Sequence, residues 1–459
     1  MSTSVQHPAS YRDPSGFVYI HEGIVYRQVN QFYREHFDLF VNSGCYQQLV
    51  ADGLLVSHEQ LTDNLLNSND WYTTLKPEQL SLVSYAYEWS FDMLKDAALL
   101  TLRILKQALQ FGLVLKDATP YNIQWHQGKL VFIDTLSFEK YEEKPWIAYR
   151  QFCECFVAPL LVMYYTKRPL QQLMLAWPDG IPLDIAASLL PRKSRFSIHT
   201  YLHIHLHAKV SAKQKTGTQG NGNTEVFAKG KLDRLINSLE ILINKLQIPD
   251  LESTWSHYYQ EASQRNGYLE AKKEIIDGWL SRLPQIKTAA DLGANEGEFS
   301  KLVAAKNINT VAADFDPYCI NNLYRHIKKH GVKNIQPLIL DLSQPSPANG
   351  LNYAERSSFS KRLQVNLVLA LAVIHHLAIG KNIPLESIAA FFAPVAPYLL
   401  IEFVPKQDPK TQLLLQHKKD IYPQYTEAGF LAAFEPLFHV EQQMVVPHSE
   451  RILFLLKRK

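Results

Sequence analysis

The stretch DLGANEGEFS, residues 291–300, sets Gly293 and Gly297 where an apolar run hands over to a helix-like segment. Glycine costs conformational entropy there, and a ligand lying against the backbone is the usual reason for it. The two glycines let the chain turn, and the helix from about Phe299 aims free N–H groups at whatever sits in the turn. Ala294 and Asn295 follow Gly293, so the pattern is not the G-x-G-x-x-G of pyrophosphate binders. A nucleoside without phosphates fits better. Asp314 ends the next apolar run, where it would accept hydrogen bonds from ribose hydroxyls. Asp316 competes for that role and ranks second, because it lies further past the strand. His375 and His376 follow the run VNLVLALAV. Imidazole titrates near neutrality and suits proton removal from an acceptor, although helix capping and packing are the plainer roles for each. In the first half, Asn122 follows Asp117 by five residues and Asp134 ends an apolar strand. Two carboxylates and an amide oxygen so placed make a hard oxygen site.

These groups need elements to hold them. From about residue 287, short apolar runs alternate with amphipathic segments: TAADLG, TVAADFD, IQPLILD, VNLVLALAV and YLLIEFV. Asp291 to Asp314 is 23 residues, Asp314 to Asp341 is 27, and Asp341 to Asn366 is 25. That rhythm is βαβ and predicts an α/β, doubly wound, mostly parallel sheet. FHVEQQMVV and RILFLLKRK, separated by PHSE, predict an antiparallel hairpin closing it. In such sheets ligands sit beyond the carboxyl ends of the strands, which is where the glycine turn, Asp314, Asp341 and the two histidines fall. We expect a first domain over 1–250, with a polar, glycine-bearing flexible insertion at 211–229. Connecting helices follow over 251–284, and the α/β domain over 285–459. KLDRLINSLEILINKL, after the insertion, carries helical spacing.

With these motifs in order, 285–459 resembles the class I S-adenosylmethionine-dependent methyltransferases, on DLGANEGEFS, AADFDP, LILDLS and LVLALAVIHHL. The resemblance implies a seven-stranded Rossmann-like sheet. It places Asp291, Gly293, Asn295 and Gly297 around the methionine moiety, Asp314 on the ribose, and Asp341 with Leu342 beside the adenine. Methyl transfer from a sulfonium already has a good leaving group, so the protein must chiefly position and bury two reactants. Glu402, Phe403 and Tyr425 are then expected to rim the acceptor pocket, Glu402 binding a cationic acceptor or the cofactor amine. Tyr422 would join Tyr425 in an aromatic lid.

LKDATPYNIQWHQGKLVFIDTLSFE, 115–139, resembles the catalytic and metal-binding segments of protein-kinase-like and aminoglycoside-phosphotransferase-like folds. That implies an α+β first domain with Asp117 as base and Asn122 and Asp134 on Mg²⁺ bridging ATP phosphates. The lead-in Leu115-Lys116 departs from the histidine-bearing form, and no G-x-G arrangement occurs in the first 110 residues. The whole chain is similar to bacterial two-part proteins with an LKDATPYN segment before a methyltransferase domain, some of them nodulation-protein-like. Three functions compete: methyltransferase with a first domain that recognises the acceptor or regulates; bifunctional ATP/Mg phosphotransferase; and non-catalytic nucleotide-binding interaction protein.

Bulk properties narrow the partners. Lys and Arg exceed Asp and Glu by 47 − 44 = 3 over 459 residues, which gives no electrostatic case for nucleic acid. MSTSVQHPASYRD has neither the basic patch nor the apolar core of a signal peptide, and FVAPLLVMYY is too short to span a bilayer. We therefore expect no membrane partner, and with four cysteines a reducing cytoplasm fits. Oligomeric state and the methyl acceptor stay open. HTYLHIHLHAK puts His199, His203 and His207 on one helical face, but a partly exposed face is a plainer reading than zinc.

Overall fold

The structure is a computed structural model that describes residues 4–209, 229–248, 267–416 and 418–459. The expected insertion at 211–229 lies outside them except for Lys229, as does the 251–266 part of the expected connector. The chain divides into two compact units: Met1–Pro249 with Asn349–Arg356, and Asp250–Ala348 with Ser357–Lys459.

The first unit opens with strands β1 (Ser4–Gln6), β2 (Gly16–His21), β3 (Ile24–Asn30), β4 (His58–Leu61) and β5 (Trp71–Pro77). They form an antiparallel sheet in the order β1-β2-β3-β5-β4, with helices Arg34–Asn42 and Cys45–Ala51 between the third and fourth strands in sequence. Val29, Tyr33, Phe37, Leu75 and Leu136 form a buried cluster beneath it. The helix Phe91–Gln110 starts where Ser90 accepts from the Met93 amide, satisfying one of the free N–H groups of a helix start. It leads to β6 (Leu113–Leu115), the hairpin β7 (Ile123–His126) and β8 (Lys129–Phe132), and β9 (Phe138–Lys140), which pairs with β6. Gln127 and Gly128 turn the hairpin with φ of 46° and 81°, the left-handed pair that matches strand twist. The segment predicted as a helix after the insertion is one, Lys229–Lys245.

The second unit holds β10 (Thr288–Leu292), β11 (Asn309–Asp314), β12 (Ile335–Ile339), β13 (Leu367–Ala370), β14 (Tyr398–Phe403), β15 (Phe438–Val445) and β16 (Ile452–Arg458). Their order is β12-β11-β10-β13-β14-β16-β15; the first five are parallel, and β16 runs antiparallel to both neighbours. The chain leaves β10 toward β11 and returns on its other side at β13, so the strand order reverses between them. That reversal opens a crevice at the strand ends. The helix Tyr268–Ser281, expected as a connector, lays Ile276, Trp279 and Leu280 into this unit's core against Leu367, Leu369 and Leu453.

Candidate functional site

At the end of β10 the chain turns immediately. Gly293 has φ +99° and Gly297 φ +78°, a region that costs a residue with a Cβ roughly 1–2 kcal/mol. A Cβ on Gly293 would collide with Val373, and one on Gly297 would lie 2.7 Å from Leu323. Shape and room both demand glycine. The turn is fastened to β11: the Gly293 and Ala294 amides donate to the Ala313 carbonyl at 2.8 and 3.0 Å. The Asn295 amide donates to Asp314 Oδ2 at 2.8 Å, and the Asp316 amide to Oδ1 at 2.9 Å. A carboxylate has about four acceptor positions, so each Asp314 oxygen keeps capacity for a ligand. Burial pushes the Asp314 carboxyl up to about 6, against the pull of those two amides.

A cavity of about 360 Å³ opens here, within the range of small-molecule sites. Gly293, Asn295, Asp314, Asp341, Leu342, His375 and His376 all line it. Asp291 and Gly297 stand behind the lining. Asp291 accepts from Ser300 Oγ at 2.6 Å and is pushed up to about 6 by burial. Gly297 is the left-handed residue before the helix Glu298–Ala304. Asp316 spends its carboxylate on capping the helix Pro317–His330, accepting from the Tyr318 amide at 2.9 Å. Asp341 accepts from the Ser343 amide and hydroxyl at 2.8 and 2.6 Å, with Lys381 Nζ 3.8 Å from its other oxygen.

His375 is buried, and neither of its ring nitrogens finds a hydrogen-bond partner. Burial, then His376, Arg451 and Lys272, hold its pKa well below the usual value. His376, with its ring centroid 4.1 Å away, is lowered to about 4, mainly by burial. Both imidazoles are neutral at physiological pH. Ala372, also in the lining, takes φ 53°, a strained conformation for alanine and one that clusters at functional sites.

The expected rim residues sit elsewhere. Glu402 is fully buried in β14, where Lys272 Nζ reaches Oε2 at 2.6 Å and Tyr268 OH donates to Oε1 at 2.7 Å. Arg451 lies 3.7 Å from Oε1 and forms a two-pronged pair with Asp408 at 2.7 and 3.1 Å. Glu402 therefore neutralises internal cations instead of facing an acceptor. Phe403 packs on Tyr425 and Phe430, and Tyr425 donates to the Val404 carbonyl at 2.8 Å, so both are core residues and not a lid. Tyr422 donates to the Ile379 carbonyl at 3.0 Å. Tyr268 and Lys272 also line the cavity, although no motif in the sequence marks them. A lysine and a tyrosine inside the apolar stripe of YLEAKKEIIDGWL were the available signal.

In the first unit Asp117, Asn122 and Asp134 come together. Asn122 Nδ2 donates to Asp117 Oδ2 at 3.2 Å and lies 3.3 Å from Ser137 Oγ, which donates to Asp134 Oδ2 at 2.6 Å. Asp134 is ion-paired with Arg27 of β3. Burial opposes its ionisation, but Arg27, Ser137 and the Leu136 amide prevail and lower its pKa, while burial and Asp134 raise that of Asp117. Among the described residues no group of three or more His, Cys, Asp or Glu could hold a metal ion. The histidine run is helical, and His199 and His203 both bond Ser238 Oγ at 2.8 Å. No described helix is long and apolar enough to cross a membrane.

No protein-family model matches the chain. The chain is 31% identical over 458 residues to the nodulation protein NoeA of Rhizobium meliloti (strain 1021), covering 98% of this chain and 95% of that protein. Three solved structures resemble it faintly. The bifunctional kinase-methyltransferase WbdD is 16% identical, covering 42% of this chain and 39% of that one, with a TM-score of 0.28. Magnesium protoporphyrin IX methyltransferase (ChlM) from Synechocystis PCC 6803 with bound SAH is 16% identical, covering 42% and 84%, with a TM-score of 0.31. A TehB-like SAM-dependent methyltransferase from Corynebacterium glutamicum is 15% identical, covering 44% and 98%, with a TM-score of 0.30. Likeness at that level carries no argument about activity.

Proposed function

The chain belongs to the family of the nodulation protein NoeA, and we propose that its second unit is an S-adenosylmethionine-dependent methyltransferase, the first unit recognising the acceptor or regulating transfer. The observation that carries this reading is Asp314: a buried carboxylate, oriented by two backbone amides, in the wall of a cavity bounded by the glycine turn. The residues suit the cofactor. Asp314 has acceptor capacity for a ribose diol, the bare main chain at Gly293 admits close contact, and Leu340 with Leu342 offers an apolar wall for a flat base. When bound, S-adenosylmethionine supplies an electrophilic methyl group on a sulfonium.

The chain's own contribution is to bind, orient and exclude water. Asn295 and Asp341 would fix the ends of the cofactor, and the buried Lys272–Glu402 pair stiffens the wall. His375, neutral and with both ring nitrogens unpartnered, is the group we assign to orient the acceptor by accepting a hydrogen bond from its hydroxyl or amine, since its lowered pKa disfavours taking up the proton itself. Calorimetric titration with S-adenosylhomocysteine tests the reading: micromolar-range binding is expected, weakened about 10- to 100-fold by Asp314→Ala through loss of charge-assisted hydrogen bonds. Gly293→Arg should remove it. Equal affinity in all three proteins would end the proposal.

For the first unit we infer a protein-kinase-like scaffold. The sheet order β1-β2-β3-β5-β4, the helices between the third and fourth strands, and the assembled Asp117, Asn122 and Asp134 favour it. Arg27 on Asp134 weighs against phosphotransfer, since that carboxylate is already neutralised by a side chain.

A further inference from the structure

The first unit carries an exposed surface that neither reading above uses. The helix Leu183–Leu189 leaves Ile185 and Leu189 in solvent, one helical turn apart. The turn Arg192–Phe196 follows, with Arg192, Lys193 and Arg195 exposed and Phe196 91% exposed. A helix over 198–209 then shows Ile198, 67% exposed, with Leu202, Leu206 and Lys209 on the same side, while Thr200, His203, Ile204 and His205 face inward. The three elements pack side by side, and Ser194 is tied to His205 by a 2.8 Å hydrogen bond. The surface is therefore braced from beneath. Between Ile185 and Lys209 there is no Asp or Glu and there are four Lys or Arg, with the exposed Asp184 just before them, while the rest of the chain nearly balances at 47 − 4 = 43 cations against 44 carboxylates.

Large apolar side chains in solvent, ringed by cations of one sign, have a specific physical use. Cations are drawn to an anionic lipid surface within a Debye length, and the apolar side chains then enter the boundary between headgroups and acyl chains. Phe196 projects fully, as an inserting side chain does and a groove-lining one does not. We propose that this surface, Ile185 to Lys209, docks the protein on an anionic membrane, with Arg192, Lys193 and Arg195 on lipid phosphates and Phe196, Ile198 and Leu202 in the interface. No spanning segment is required for such attachment. The sequence expectation of no membrane partner rests on the lack of a spanning segment, which interfacial attachment does not need.

Vesicle co-sedimentation of the full chain tests this, with phosphatidylcholine alone and with about one third phosphatidylglycerol. Binding is expected to the anionic vesicles, at least about tenfold weaker in 0.5 M salt than in 0.1 M, because screening shortens the reach of the cations. Phe196→Ser with Ile198→Ser should lower binding about tenfold or more at unchanged melting temperature, since both side chains are already in water. Replacing Arg192, Lys193 and Arg195 by Ser should remove the preference for anionic lipid. Equal binding to neutral and anionic vesicles, or double-serine binding equal to wild type, overturns the proposal. So does self-association without lipid that the double-serine variant abolishes, which would make the surface an interface between copies.

Discussion

At the residue scale, Asp314 makes the candidate site dependent on pH. Its carboxyl is pushed from 3.8 up to about 6 by burial, so a good share of the empty protein holds it protonated below that value. A diol donates hydrogen bonds to the ionised form and so favours it. Affinity for S-adenosylhomocysteine is therefore expected to rise as pH goes from 5 through 6, by at most about tenfold per pH unit, and to level off above 7. Asp314→Asn should flatten the profile; titrations at four pH values read the difference. The sign for stability is opposite. A carboxyl raised in the folded state contributes stability below its unfolded value, and that contribution is lost as pH rises through about 6. Asp291, raised similarly but behind the lining, shares in the stability effect.

At the element scale, the helix Tyr268–Ser281 is joined to the sheet by charge as well as by oil. Lys272 reaches Glu402 of β14, and Tyr268 bonds both Glu402 and Arg451, which precedes β16. One helix, the last parallel strand and the closing hairpin thus share a buried network. Removing one charge leaves the other buried and uncompensated, typically at a cost of about 3–5 kcal/mol. Glu402→Gln is expected to destabilise the chain by that order in urea unfolding, and adding Lys272→Met should recover part of the loss, as coupled neighbours do. If Glu402→Gln unfolds at the wild-type midpoint, the network is not what fixes this helix. Glu402 reads in sequence as a polar strand end. Its partner 130 residues earlier could not be inferred, because the helical spacing that predicts a buried face does not say which buried lysine meets which carboxylate.

At the scale of the whole molecule, the two units are interleaved in chain order, since residues 349–356 belong to the first. Within that unit Glu355 is bonded by Tyr11 and by Arg12 at 2.9 Å, and the Arg356 guanidinium lies 4.0 Å from the Tyr121 ring centre. Ligand-linked melting separates the proposed roles. S-adenosylhomocysteine at 100 times its dissociation constant should stabilise the second unit by about 2.7 kcal/mol. Mg-ATP should leave the melting curve unchanged while Arg27 holds Asp134. A clear Mg-ATP shift that vanishes in Asp134→Ala would restore the phosphotransfer reading. The sequence determined what is local: the strand rhythm, the closing hairpin, the glycine turn whose φ angles admit little else, and an aspartate at the end of the next strand. Those follow from steric limits and from periodicities of a few residues. Tertiary structure alone decided the partners: Arg27 on Asp134, Lys272 on Glu402, Asp316 spent on a helix cap and Tyr425 in the core. Such pairings depend on which surfaces meet when strands and helices pack, and no spacing along the chain encodes that meeting.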